Sequence, residues 1–447
     1  MDGHENVRIT ALAYGGEGIA RRKDGKVVLV EATAVGDLVR VRTTDERRKV
    51  ARARIEEVVE ASPERVDARC PYHAQCGGCG LQHLSYAAQL RHKRAFVVEA
   101  LERIGRIDDA EGLVANTVAS PVVWGYRNKV ELEPCRVKGK LALGLHAKGA
   151  GEVVPIQRCL LLPAGHEGLP SRLAGALGFA LKDADAPLRR VGVRVSRTSG
   201  DVELALWTEP GPCNRSFVAK VLADALKATS LVRVLAAGDK GRREVKNVEV
   251  LSGRGHWRED VGGLRYRVSA PSFFQVNSAV SGTLVAEVLE GLGEDTARVA
   301  DLYSGVGTFT LPLARHARTL DAVETAGSSI RDLRRNLSAH GLDAEVHAGS
   351  VEWVLPKLGK KDGIVVDPPR SGLGPDALDA LADAAPRTVV YVSCDPATLA
   401  RDVQRLAARG YRLVKAVPLD LFPQTWHVET VARLVAPLQK AQCSVKY

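Results

Sequence analysis

From about residue 256 onward, β-branched runs alternate with helical patterns, and four of those runs end on a polar side chain. They are Arg298-Val-Ala-Asp301, Thr319-Leu-Asp-Ala-Val-Glu324, Asp362-Gly-Ile-Val-Val-Asp367 and Arg387-Thr-Val-Val-Tyr-Val-Ser-Cys394. Strands separated by helices pair in parallel, because each helix must carry the chain back across the sheet. Open sheets of this kind bind ligands just beyond the carboxyl ends of their strands. Asp301, Glu324, Asp367 and Cys394 are therefore predicted to share one edge. A lone free cysteine is most often inert and buried; three carboxylates on the same edge make Cys394 a candidate for chemistry.

The first run leads into Tyr303-Ser-Gly305-Val-Gly307-Thr-Phe-Thr, a glycine turn before a helix, and Glu324 follows roughly 20 residues later, the interval of a ribose-binding acid. The third glycine that lets a backbone approach a pyrophosphate is missing. That pattern favours S-adenosylmethionine, which has no phosphates to cradle, over a dinucleotide. Asp367-Pro-Pro makes a rigid turn without backbone donors, suited to framing a planar base. Asp395-Pro396 turns the chain from Cys394 into the next helix.

A second group of cysteines lies far upstream. Cys70-Pro-Tyr-His-Ala-Gln-Cys76-Gly-Gly-Cys79 places three thiols in ten residues, with glycines to wrap a metal centre tightly. The fourth ligand must come from elsewhere: Cys159 and Cys135 are candidates, and His73 or His83 would suit zinc. Four thiolates with one distant member suit a [4Fe–4S] cluster at least as well. The residues alone leave both metals open, and Cys213 and Cys443 have no assigned role.

The rest of the chain sets the context. At 447 residues two or three domains are expected, and a net charge of +10 favours a polyanionic partner. No apolar run reaches the length of a membrane span, and the N-terminus lacks the order of a secretory signal. A cytoplasmic monomer with no membrane partner is expected. Residues 1–60 alternate arginine and lysine with valine between turn signals, as in a small RNA-binding barrel. Residues 61–255 are expected to form a central α+β domain holding the cysteine site, with hairpins at Lys129–Glu133 with Lys140–Leu145 and at Val191–Val195 with Val202–Trp207. Residues 256–447 form the α/β domain.

Taken together, the motifs resemble the S-adenosylmethionine-dependent RNA 5-methyluridine methyltransferases over nearly the whole chain. The signatures are Phe273-Phe-Gln275-Val-Asn277, Asp301-Leu-Tyr303-Ser-Gly305, Val366-Asp367-Pro-Pro-Arg370, Ser393-Cys394-Asp-Pro396 and His427-Val-Glu429-Thr. The resemblance implies a TRAM barrel, a central domain with a [4Fe–4S] cluster on Cys70, Cys76, Cys79 and Cys159, and a class I (Rossmann-like) methyltransferase domain. It implies Gln275, Tyr303, Glu324 and Asp367 at the cofactor, Cys394 as nucleophile and Glu429 as base. It also implies that a helix near 85–105 packs on the catalytic domain. Thr308 departs from the family's usual Asn and is left out of the cofactor set. 23S ribosomal RNA is the expected substrate, with the transfer RNA T-loop as the alternative. A non-catalytic RNA-binding iron–sulfur scaffold is the reading from another class, and intact Cys394, Glu429 and Asp367 argue against it. A cytosine 5-methyltransferase would usually place its nucleophile after proline, whereas Cys394 follows Ser393.

Overall fold

The computed structural model describes residues 4–149, 151–181, 188–238, 244–294 and 296–436; Cys443 and the end of the third predicted domain lie outside them. Two compact units emerge. The first takes the chain up to Phe96, then Ala119–Gly282 and Asp420–His427; the second takes Val97–Val118, Thr283–Leu419 and the chain from Val428.

The first unit begins with a closed barrel of β1 (His4–Leu12), β2 (Gly18–Arg21), β3 (Val27–Val30), β4 (Leu38–Glu46) and β5 (Val50–Glu60), in the order β1-β2-β3-β5-β4. Alternation builds it: Val39 and Val41 face an interior shared with Ile9, Val28, Val30 and Ala53, while Arg40 and Arg42 between and beyond them are exposed. Closure leaves no unpaired sheet edge. Leu12 and Ala34 of this region pack on Leu81, Leu84 and Phe96, which anchors the barrel to the segment after the cysteines.

A seven-stranded sheet follows, from β6 (Lys129–Val137), β7 (Lys140–His146), β8 (Val153–Pro155), β9 (Leu188–Val195), β10 (Val202–Thr208), β11 (Ser230–Ala237) and β12 (Glu244–Gly253), in the order β12-β11-β10-β9-β6-β7-β8. Both expected hairpins form, with Glu133 opposite Gly144 and Val195 opposite Val202. Helices Leu169–Ala180 and Arg215–Leu226 bury Leu173, Leu177, Val218 and Leu222 against Leu132, Val191 and Leu204. The hairpin of β13 (Trp257–Val261) and β14 (Leu264–Val268) completes the strands of this unit.

Residues 420–427 belong to the first unit through polar bonds. Lys93, fully buried, forms an ion pair with the equally buried Asp420 and donates to the Phe422 carbonyl at 3.0 Å. Gln89 accepts from the Gln424 backbone N–H at 2.9 Å.

The second unit is the predicted α/β sheet. Its strands are β15 (Arg298–Leu302), β16 (Thr319–Glu324), β17 (Glu345–Ala348), β18 (Gly363–Val366), β19 (Thr388–Ser393), β20 (Arg412–Leu419) and β21 (Glu429–Val435), in the order β17-β16-β15-β18-β19-β21-β20. All pair in parallel except β21, which runs antiparallel to both neighbours. β18 and β19 are buried along their whole length, as their unbroken apolar runs require. The four expected strands are not consecutive, because β17 intervenes between Glu324 and Asp367. The helix after the glycine turn is short, Thr310–Leu313.

Candidate active site and cysteine cavity

Strand register lines up the predicted residues of the second unit. Leu302 pairs with both Val323 and Val366, so Glu324, Tyr303 and Asp367 follow side by side at the sheet edge. On the antiparallel side Ser393 pairs with Thr430, which places the next residue, Cys394, beside Glu429. Asp301, Tyr303, Glu324, Asp367, Cys394 and Glu429 thus belong to one unit and one edge, whereas Gln275 belongs to the first unit. There it is buried, and its carbonyl accepts from Asn128 Nδ2 at 2.9 Å.

Local backbone explains the cofactor half. Tyr303 sits at φ 63°, a left-handed conformation that costs a non-glycine residue on the order of 1–3 kcal/mol and concentrates at functional sites. Gly307 lies at φ 97°, and a Cβ there would come within 2.6 Å of Leu311 and Leu333, so glycine is required. Glu324 is held by three backbone N–H groups: Gly305 at 2.9 Å on Oε2, and Thr325 and Ala326 at 2.7 Å on Oε1. Each oxygen accepts two bonds, so Oε2 keeps a free acceptor site for a ligand hydroxyl. Asp301 is fully buried; Thr310 donates to its Oδ2, and Oδ1 has no partner.

Electrostatics in the catalytic half are governed by burial. Desolvation, aided by Glu429 and Asp367, pushes the Cys394 thiol up to about 12, opposed by the Arg370 guanidinium. Burial and the neighbouring Asp301 raise Asp367 to about 7. Burial and Asp367 hold Glu429 well above the carboxylate range. Arg370 itself reaches Asp395 at 3.4 Å, and Asp395 caps the helix Pro396–Ala408 through the N–H groups of Ala397 and Thr398. The edge therefore sets a thiol beside two carboxyl groups held toward their protonated forms, of which Asp367, near 7, is the one able to accept its proton at neutral pH. Sequence reading singled out every member except Asp301 and Arg370 in a functional role. Both stand inside quoted motifs, but only the fold shows a buried carboxyl group with one oxygen lacking a partner among the described residues, and a cation acting on the thiol.

The upstream cysteines line one cavity of about 700 Å³ in the first unit, together with Tyr72, His73, Arg127, Lys148 and Trp124. Cys70, Cys76, Cys79 and Cys159 all line it, whereas Cys135 lies on β6 opposite Ala142. The Tyr72 hydroxyl accepts from the Gln157 N–H at 3.0 Å, tying the Cys159 loop to the Cys70 loop. Donors converge on the sulfurs: Gly78 N–H on Cys76 at 3.4 Å, Leu161 N–H on Cys159 and the Gln82 side chain on Cys79. Gln82 also accepts from the Cys70 N–H at 3.1 Å, so one buried amide joins the two ends of the motif. Such donors favour thiolate, the metal-binding form. Tetrahedral zinc with Zn–S bonds near 2.3 Å needs sulfurs only about 3.8 Å apart. Among the described residues the only trio of ligand atoms within 4.8 Å is Asp321, Glu345 and His347, so no three cysteine sulfurs are that close. Four thiols lining one cavity are a donor set able to hold a metal centre. His73, half-buried, and His83, buried, are both pushed down to about 4 chiefly by desolvation; His83 already bonds the Thr33 carbonyl at 3.0 Å.

The sheet order of the second unit, with one antiparallel strand inserted before the last, defines a class I methyltransferase fold. The family description tRNA (uracil-5-)-methyltransferase matches residues 218–347 and 358–436, and TRAM domain matches residues 5–55. An RNA methyltransferase of Gloeobacter violaceus is 37% identical, covering 96% of this chain and 95% of its own. One of Thermosynechococcus vestitus is 34% identical, covering 96% and 97%. The solved Pyrococcus abyssi tRNA (uracil-54, C5)-methyltransferase, in complex with S-adenosyl-L-homocysteine, is 28% identical with a TM-score of 0.74 and covers 96% of this chain and 100% of its own. The chain belongs to the RNA (uracil-5-)-methyltransferase family, with the TRAM barrel and methyltransferase fold that its motifs implied. No described helix is long and apolar enough to cross a membrane.

Proposed function

We propose that the protein methylates carbon 5 of a uridine in RNA through a covalent adduct of Cys394 with carbon 6. The observation that carries this reading is the register of β19 and β21, which sets Cys394 beside a buried Glu429. Carbon 5 of uracil is a weak nucleophile until a sulfur adds at carbon 6 and leaves enolate character at carbon 5. Addition forms the S–C6 bond as the thiol proton passes to ionised Asp367, and Glu429, held toward its protonated form by burial, must release its own proton to solvent before it acts as base. S-adenosylmethionine, when bound, supplies an electrophilic methyl on a sulfonium; Tyr303, Glu324, Asp367 and Gln275 are the residues proposed to hold it. Ionised Glu429 then removes the hydrogen from carbon 5, the S–C6 bond breaks, and the thiolate regains a proton. The target base must leave its stack to reach the thiol.

The cysteine cavity is proposed to hold a [4Fe–4S] cluster on Cys70, Cys76, Cys79 and Cys159; it would tie the motif loop to the distant Cys159 loop. The barrel together with this cavity supports 23S ribosomal RNA as substrate for a cytoplasmic monomer. Likeness to the P. abyssi transfer RNA enzyme along the whole of both chains favours transfer RNA as the second reading. Mapping 5-methyluridine in ribosomal and transfer RNA from a strain lacking the gene decides between them. RNA containing 5-fluorouridine should form an adduct stable to denaturing electrophoresis, because fluorine cannot leave as a cation. Absence of that adduct with active enzyme would overturn the Cys394 mechanism.

A further inference from the structure

The cysteine cavity is larger than its cysteines require. Its volume of about 700 Å³ lies within the range of sites that take nucleotide-sized ligands. Arg52 and Lys129 line it paired with Glu17 and Glu131; the other cations divide into two sets. Lys148 and Arg127 act on the sulfurs: Lys148 couples to Cys76 and Cys79, and Arg127 to Cys76, Cys79 and Cys159. These two answer the negative charge of the thiolates. Arg158 lines the same cavity, is exposed and has no carboxylate partner among the described residues. Arg69, likewise exposed, stacks its guanidinium 5.1 Å from the centre of the Trp124 ring, and Trp124 is a half-buried lining residue. The cavity's carboxylates are Glu17 and Glu31 from the barrel side and Glu131 of β6; Glu17 is already paired with Arg52, and Glu131 with Lys129 and Arg190.

An indole with a guanidinium stacked on it, lining the same cavity as an arginine with no carboxylate partner among the described residues, is a combination that can hold a single-stranded nucleotide. The ring takes the base face and the cation takes the phosphate. A base inside a duplex presents no free face, so only an unpaired nucleotide fits.

We infer that the rim of the cysteine cavity is an RNA subsite of its own, in which an unpaired base stacks on the Trp124–Arg69 platform and its phosphate pairs with Arg158. The subsite rests on the RNA-substrate reading and adds to it a contact made by residues other than those of the Cys394 edge. It also gives the cysteine region a direct part in substrate selection: an RNA whose loop cannot spare an unstacked base loses this contact.

The test uses the full-length protein purified anaerobically, fluorescein-labelled oligouridine as probe and anisotropy titrations over a range of potassium chloride concentrations. Trp124→Ala should raise the Kd about 5- to 150-fold, the span of one lost base stack, and Trp124→Phe should recover most of it. Arg158→Ala should flatten the slope of log K against log salt by about 0.7, one phosphate on a single strand. Iron content and affinity for S-adenosylhomocysteine should match wild type in all variants, and an RNA duplex probe should be unaffected by Trp124→Ala. Unchanged oligouridine affinity in Trp124→Ala, or an unchanged salt slope in Arg158→Ala, overturns the subsite while leaving the RNA reading intact. If Trp124→Ala loses iron, Trp124→Phe and Arg158→Ala still decide, because an unaltered salt slope in the latter is sufficient to reject it. A wild-type protein that binds no RNA overturns the RNA reading itself, and the subsite with it.

Discussion

Cys79 and Cys394 are both pushed up to about 12, and in both burial is the main cause. Their neighbours differ. Around Cys79 the groups that disfavour a thiolate are other thiols, Cys159 and Cys76, while the Gln82 amide and Arg127 favour it. Around Cys394 the opposing groups are carboxylates, Glu429 and Asp367. A set of thiols gives up its protons together when a metal arrives, because the cation replaces several mutual repulsions at once. A thiol among carboxyl groups can instead hand its proton to a neighbour and take it back, as a catalytic cycle requires. On the proposed reading the same acidity would serve metal capture in one region and turnover in the other, with the adjoining side chains deciding which.

The sharpest way to break that contrast is at the catalytic edge. Cys394→Ala should reduce methyl transfer to background and abolish the RNA adduct in denaturing gels. Glu429→Gln should slow turnover on the order of 10²–10⁴-fold, the usual worth of a positioned base, while the methylated adduct accumulates. Normal turnover in Glu429→Gln would end the assignment of the base. At the cavity, Cys159→Ala should lose its iron and destabilise the first unit without altering cofactor affinity, whereas wild type should carry about four irons per chain. Stoichiometric zinc in a colourless protein would mean that the two cysteine regions differ in metal and not only in neighbours.

A smaller effect tests the buried carboxyl groups. Asp301 is raised to about 7 by desolvation, with Thr310 opposing. Its folded value exceeds its unfolded one, so the folded state binds more protons between the usual carboxylate range and pH 7. Stability should therefore fall as pH rises through that window and level off above it. Asp301→Asn should flatten this slope in urea melts recorded from pH 4 to 8, and an unchanged slope would clear Asp301. The smallest effect belongs to the barrel. Arg42 and Arg54 face each other across β4 and β5, and both are exposed. Substituting either with Ala should lower RNA affinity a few-fold and flatten its salt dependence by about one phosphate. No change would move the RNA-binding face elsewhere on the barrel.

Much of this was legible in the chain. Thr319–Glu324 forms as a strand with the bounds read from its residues, and Thr388–Ser393 follows its β-branched run because both faces are buried. The strand β17 escaped because Glu345-Val-His-Ala348 has no apolar run; it is an edge strand and half its residues are exposed. Glu429 entered only through the family resemblance, and its burial is a consequence of inserting β21 between β19 and β20 that no local pattern announces. The role of Gln82 escaped for a similar reason. Its bonds to Cys70 and Cys79 depend on how a loop without regular structure closes, and hydrophobic periodicity is silent there.

The polar bonds that fasten Asp420–His427 to the first unit have a consequence for the life of the newly made chain. Gln89 and its partner Gln424 are separated by 335 residues. At synthesis rates of roughly 5–20 residues per second, Gln424 follows Gln89 by about 20 to 70 s. Throughout that interval the cysteine motif, already translated, lacks the segment that seats Leu81 through the Gln424 carbonyl and that packs Trp426 beside Gly80. Ribosome-bound chains therefore carry the cysteine loop without these contacts, and the last tenth of the sequence supplies them.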